Sequence, residues 1–95
     1  MIVCAAVRLH IDKTGEDVIL CGPRHHYIYK QLEGLGFEPN KGYSRVIDGF
    51  ITNTGRFLNR TDSLVYAIQV GQTNANIRDE FSKGTKIELY SEDLW

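Results

Sequence analysis

From Gly49 to Arg60 the chain reads GFITNTGRFLNR, which brings Phe50, Arg56, Phe57, Asn59 and Arg60 close together in sequence. Aromatic rings stack on nucleobases at ~1–3 kcal/mol each, an asparagine amide matches a base edge, and an arginine makes charge-assisted contacts to phosphate. This combination suits a flat, negatively charged ligand. The same residues also read as an ordinary hairpin leading into a helix, with both phenylalanines in the core, Asn59 as a helix cap and the arginines solvated.

A second group is Arg24-His25-His26, placed after a strand-like segment and at the start of a helix-like one. Helix N-termini present free N–H groups and positive potential, so Arg24 there suits a phosphate. The two histidines show no HxT, HxH or HxxxH pattern, and helical neighbours point about 100° apart, which favours ordinary surface or partly buried roles. No GxxxxGK[ST], GxGxxG or GxSxG occurs, and the acids are scattered without a convincing pair. Nothing in these patterns demands an enzyme or a cofactor. Cys4 and Cys21 lack CxxC spacing and nearby histidines, so no metal site is expected, and buried free thiols are the favoured reading over a disulfide.

The elements that must carry these residues follow from periodicity. Val3, Ala5, Val7, Leu9 and Ile11 alternate with Cys4, Ala6, Arg8 and His10, the signature of a strand. DKTG supplies a turn and DVILC a returning strand, a register that sets Leu9 against Val18 and Val7 against Leu20. The other face, Cys4, Ala6, Ile19 and Cys21, is small and partly apolar, which suits a covering helix or another subunit. Pro23 and the spacing of Ile28, Leu32 and Leu35 predict a helix that Gly34 and Gly36 end.

Glu38–Gly49 reads as loop, and Asn53-Thr54-Gly55 as a tight turn. Asn59 caps a helix starting at Arg60, with Asp62 completing a capping-box-like pair; Leu64, Ala67 and Ile68 line its inner face, and Gly71 stops it. Residues 73–86 are polar and give no clear element, and Ile87–Tyr90 predicts a short strand. The expected order, β-β-α-β-β-α-β, makes a small α+β protein with a mostly antiparallel sheet and two helices on one face.

With 95 residues the chain suits a single domain, 1–95, that buries roughly 60% of its unfolded surface and has no room for a large internal cavity. Eleven basic and twelve acidic residues give a net charge of -1, which disfavours binding to duplex nucleic acid by phosphate neutralisation. The apolar run IVCAA is too short for a signal-peptide core or a spanning helix, so a soluble, intracellular protein away from membranes is expected.

Five pieces in order, CAAVR, CGPRHHYIYKQL, GFITNTGRFLNR, AIQVGQ and LYSEDLW, resemble the phage anti-Thoeris sponge proteins. The resemblance spans most of the chain and leaves the centre of the 38–48 loop and residues 73–86 unplaced. It implies a counter-defence protein of the infected bacterial cytoplasm that sequesters the cyclised ADP-ribose signals of defence TIR-domain enzymes without cleaving them. It further implies homodimers with pockets between two chains, able to associate into hexamers that take up cyclic di- or trinucleotides at separate sites.

Carried onto this sequence, the family's ligand contacts fall on Arg24 for the pyrophosphate, Phe50 for stacking on adenine and Asn59 for hydrogen bonding to base or ribose, with Arg78 as the nearest match to a second arginine. Arg60 joins them on chemistry and proximity alone. In the tail, Tyr90 and Trp95 suit packing against a neighbouring chain, and Glu92 and Asp93 suit orienting arginines; a final strand with a solvated end is the plain alternative. Two other functions fit the residues: a small nucleotide phosphoesterase using His25 or His26, and a single-stranded nucleic-acid-binding accessory protein whose aromatics stack on bases.

Overall fold

The computed structural model describes residues 1–38 and 41–95. Strands β1 (Ile2–Ile11), β2 (Glu16–Gly22), β3 (Tyr43–Thr52) and β4 (Phe57–Asn59) form one antiparallel sheet in the order β2-β1-β3-β4. Helices α1 (His25–Gly34), α2 (Arg60–Gln69) and α3 (Ala75–Ser82) complete an α+β fold, followed by a single 3-10 turn at Ser91–Asp93.

The first hairpin has the register its alternation requires, with Leu9 opposite Val18 and Val7 opposite Leu20. Ala5, Val7 and Leu9 of β1 join Ile28 and Leu32 of α1, Phe50 of β3, Leu64 and Ala67 of α2, Ile77 of α3 and Leu89 in one buried cluster. All three helices therefore contribute to the core on one side of the sheet. The opposite face carries Cys4, Ala6, Ile19, Cys21, Ile47, Ile51 and Phe57 by strand parity, and no helix of the described residues covers it. Cys21 is exposed and Cys4 half-buried, so the thiols are free but not sealed in the core as expected. Partial burial, then the neighbouring Cys21, pushes the Cys4 thiol up to about 11.

Three expectations about elements need correction. Tyr43–Gly49, expected as loop, belongs to β3, because its residues pair with β1 despite a register shift between Arg8 and His10. At that shift Arg45 takes φ 54°, a bulge conformation that hides the strand alternation. Pro39 and Asn40, part of the same expected loop, lie outside the described residues. Residues 73–86 contain α3, capped by Asn74, whose Oδ1 accepts from the Ile77 N–H at 2.9 Å. Ile87–Tyr90 is no strand; it is an irregular strap held by the buried Leu89. The described residues thus hold four strands and three helices, not five and two.

Other local signals hold. The Asn59 Oδ1 accepts from the Asp62 N–H at 2.8 Å and starts α2. The helix stops where Gly71, at φ 73°, lets its N–H reach the Ile68 carbonyl while that of Gln72 reaches the Ala67 carbonyl. The Gln72 side chain then clasps the start of β1: its Oε1 accepts from the Ile2 N–H and its Nε2 donates to the Ile2 carbonyl, both at 2.7 Å.

Gly49 is the tightest point of the sheet. A Cβ there would stand 2.1 Å from the Leu58 carbonyl oxygen and 2.8 Å from the Phe57 ring, so only glycine lets β4 close on β3. Gly49→Ala is expected to lose ~1–3 kcal/mol of stability by overpacking, measured by urea denaturation. Gly34→Ala, at a helical position with open space around its Cβ, is expected to leave stability equal or improved.

Candidate functional site

The site grows from the first turn of α1. Arg24 is the extended N-cap residue of that helix and makes no side-chain cap bond; its guanidinium instead donates to the backbone oxygen of Trp95 at 2.6 Å. His25 follows and is buried, its Nε2 donating to the Gly49 carbonyl at 2.7 Å. One helical turn on, the Tyr29 hydroxyl donates to Asp48 Oδ1 at 2.5 Å. These contacts fasten α1 to β3 at positions 48 and 49, immediately before Phe50 in the strand.

Asp48 links onward to Arg60, whose guanidinium lies 3.5 Å from Asp48 Oδ2. The same guanidinium donates to the Leu89 carbonyl at 2.8 Å, and the Leu89 N–H returns a bond to the Arg60 carbonyl at 3.0 Å. Tyr90 lies between two cations, with the Arg60 guanidinium carbon 4.8 Å and Lys86 Nζ 5.0 Å from its ring centroid. Lys86 in turn meets Asp93 at 2.8 Å, with both side chains only 13% and 12% exposed. The strap from Lys86 to Trp95 is thereby bound across α1, β3 and the start of α2.

Where β4 ends at Asn59, β3 continues with no described strand paired to it on that side, and an open cleft of about 390 Å³ forms against it. Val46, Ile47, Asp48, Asn59, Arg60 and Glu88 line it. Its charge is mixed, with one guanidinium against two carboxylates.

The five expected ligand residues are distributed as follows. Asn59 and Arg60 share the cleft. Arg24 and Phe50 meet at Trp95, which gives its backbone oxygen to Arg24 and sets its ring 6.4 Å from that of Phe50. Phe50 offers no open stacking face: it is fully buried and packs edge-on against His25 at 5.1 Å. Arg78 is exposed on α3, and among the described residues its side chain joins none of the other four. The tail packs on its own chain, and Asp93 pairs with Lys86 instead of an arginine.

Sequence reasoning did not single out Asp48 or Tyr29. Their signal was present in the four-residue spacing of His25 and Tyr29, which puts both rings beside Ile28 and Leu32 on the inward side of α1. Burial of Tyr29, followed by its bond to Asp48, raises the phenol well above its usual range and keeps it a hydrogen-bond donor. Among the described residues no cluster of three or more His, Cys, Asp or Glu side chains is placed to hold a metal ion.

Burial holds the His25 pKa below its ordinary 6.5, the nearby Arg60 pulls in the same direction, and the Gly49 carbonyl and Asp48 charge oppose them. The folded state therefore favours neutral His25, while the unfolded chain takes up a proton near 6.5. Stability from this residue is present above that pH and is lost as pH falls through the lowered folded value. The melting midpoint is expected to drop on acidification below about pH 6.5. In His25→Phe the midpoint is expected to be lower at pH 7 and less dependent on pH across that window, read by thermal denaturation at a series of pH values.

The family described as Phage T4 y16D protein matches residues 1–95, the whole of the chain. No curated protein and no solved structure gives a match. The chain belongs to the Phage T4 y16D protein family, a family of phage proteins.

Proposed function

We propose that this phage protein binds a cyclised ADP-ribose immune signal in the host cytoplasm and sequesters it without cleavage. The observation that carries this reading is the shared attachment of Arg24 and Phe50 to one residue. Trp95 presents an oxygen to the cation and a flat ring to the aromatic, and a nucleotide presents the same two features as phosphate and base.

Electrostatics divides the work. Asp48 and Glu88 disfavour a pyrophosphate in the open cleft, so Arg24 takes it. Asn59 spends its Oδ1 on the helix cap and keeps its amide N–H groups for a ribose or base acceptor. Arg60 holds the strap and Asp48 in place. Arg78 contributes from α3 or from a second chain. Since the cleft is open on a single chain and tight capture needs enclosure, a homodimer supplies the missing wall, and the helix-free sheet face is available for higher assembly; cyclic di- or trinucleotides then enter separate sites. Retention without cleavage is supported by His25, whose Nε2 is committed to the Gly49 carbonyl in the core.

Calorimetric titration with a panel of cyclised ADP-ribose isomers tests this, followed by heat denaturation of the complex and chromatography of the released ligand. Binding of at least one isomer and its return intact are expected. Arg24→Ala is expected to weaken binding about tenfold or more, the loss of one charge-assisted contact. Asn59→Asp keeps the cap but removes the amide donors, and is expected to weaken binding with little change in melting; Asn59→Ala also loses ~1 kcal/mol of fold stability. Absence of binding across the panel, or recovery of an opened product, would overturn the reading.

A further inference from the structure

We propose that the strap is an internal occupant of the Arg24–Phe50 site, and that a nucleotide enters by displacing Trp95. This rests on the function proposed above and adds a competition built into the chain.

The strap has a fixed root and a lightly held tip. Its root is fastened by the fully buried Leu89, the reciprocal backbone and guanidinium bonds between Leu89 and Arg60, and the well-buried Lys86–Asp93 pair. Beyond Asp93, Leu94 packs on the core margin and the Trp95 N–H bonds to the Ser91 carbonyl at 2.9 Å. Trp95 is still 46% exposed as a residue, so much of its surface gains nothing from burial. What it covers is decisive: Phe50 is fully buried with the Trp95 ring among its aromatic neighbours, and the Arg24 guanidinium is engaged by the Trp95 oxygen.

Ligand and strap tip therefore exclude one another. A base that stacks on Phe50 from this side takes the place of the indole, and a phosphate that pairs with the same N–H group of Arg24 takes the place of the backbone oxygen. Two phosphate groups bring more negative charge to that guanidinium than the single oxygen they replace, which favours exchange. Binding is weakened by the fraction of time the tip is docked, and freeing the tip restores it.

Trp95 is the sole tryptophan of the chain, so its emission reports the tip directly. The full chain is titrated with the panel of cyclised ADP-ribose isomers while acrylamide quenching of Trp95 is followed, and calorimetric affinities are compared for wild type, Trp95→Phe and Trp95→Ala. Quenching is expected to rise on binding, and Trp95→Ala to bind about tenfold more tightly than wild type, with Trp95→Phe closer to wild type. Without ligand, Arg24→Ala is expected to raise quenching as the tip loses its anchor.

Less quenching with ligand, together with weaker binding by Trp95→Ala, overturns the competition and makes Trp95 a ligand contact. Equal affinities and unchanged quenching overturn it while leaving sequestration standing. Binding by neither wild type nor Trp95→Ala overturns the sequestration reading itself, and unchanged quenching in Arg24→Ala overturns the tip's anchorage independently of any ligand.

Discussion

The hydrogen bond from His25 to the Gly49 carbonyl is the contact on which the arrangement of this protein turns. It is buried, joins the first turn of α1 to the middle of β3, and depends on a residue where no side chain fits. A buried carbonyl left without its donor loses far more than an exposed one. The bond also fixes neighbours on both chains: Arg24 precedes His25, while Asp48 and Phe50 flank Gly49. The cation, the acid and the aromatic of the site thus inherit their positions from one backbone oxygen.

Around that bond the polar groups form a chain of dependence. Tyr29 holds one oxygen of Asp48 and Arg60 approaches the other, so both oxygens of the half-buried carboxylate have partners. Arg60 in turn meets Leu89 and the face of Tyr90. Each member satisfies a group that burial would otherwise penalise, and truncating one leaves its partner exposed to that penalty. The Lys86–Asp93 pair shows the same logic: charges so far removed from water are tolerated because they are matched at 2.8 Å and because the Tyr90 N–H also donates to Asp93 at 2.8 Å.

Legibility of the fold in the sequence followed the strength of local periodicity. The first hairpin alternates cleanly, and its register could be read residue by residue; α1 and α2 carried helical spacing, and Asn59 and Gly71 marked the ends of α2. β3 was obscured because Arg45 at the bulge shifts the alternation and Gly49 resembles a loop residue until the approach of β4 explains it. α3 buries only Ile77 among its residues, too little for a periodic signal, and KIELY alternates like a strand although it pairs with none of the described strands. For the site, residue chemistry identified Arg24, Asn59 and Arg60 as candidates. The plain hairpin reading already put Phe50 in the core, where it lies; that Trp95 reaches Arg24 is a long-range fact, joining positions 71 apart, and no local pattern encodes it.

The Gln72 clasp bears on how the chain is made. During synthesis β1 emerges before the other described elements, yet its inner position in the sheet requires β3, and the backbone N–H and carbonyl of Ile2 are satisfied by a side chain 70 residues later. An incomplete chain can form the early hairpin, but a two-stranded ribbon alone is marginal in water. Completion waits until Gln72, 70 residues after Ile2, has left the ribosome. A translation product cut short before Gln72 would consequently present the apolar side of β1 uncovered, so the clasp ties the maturation of β1 to the arrival of a residue beyond the end of α2.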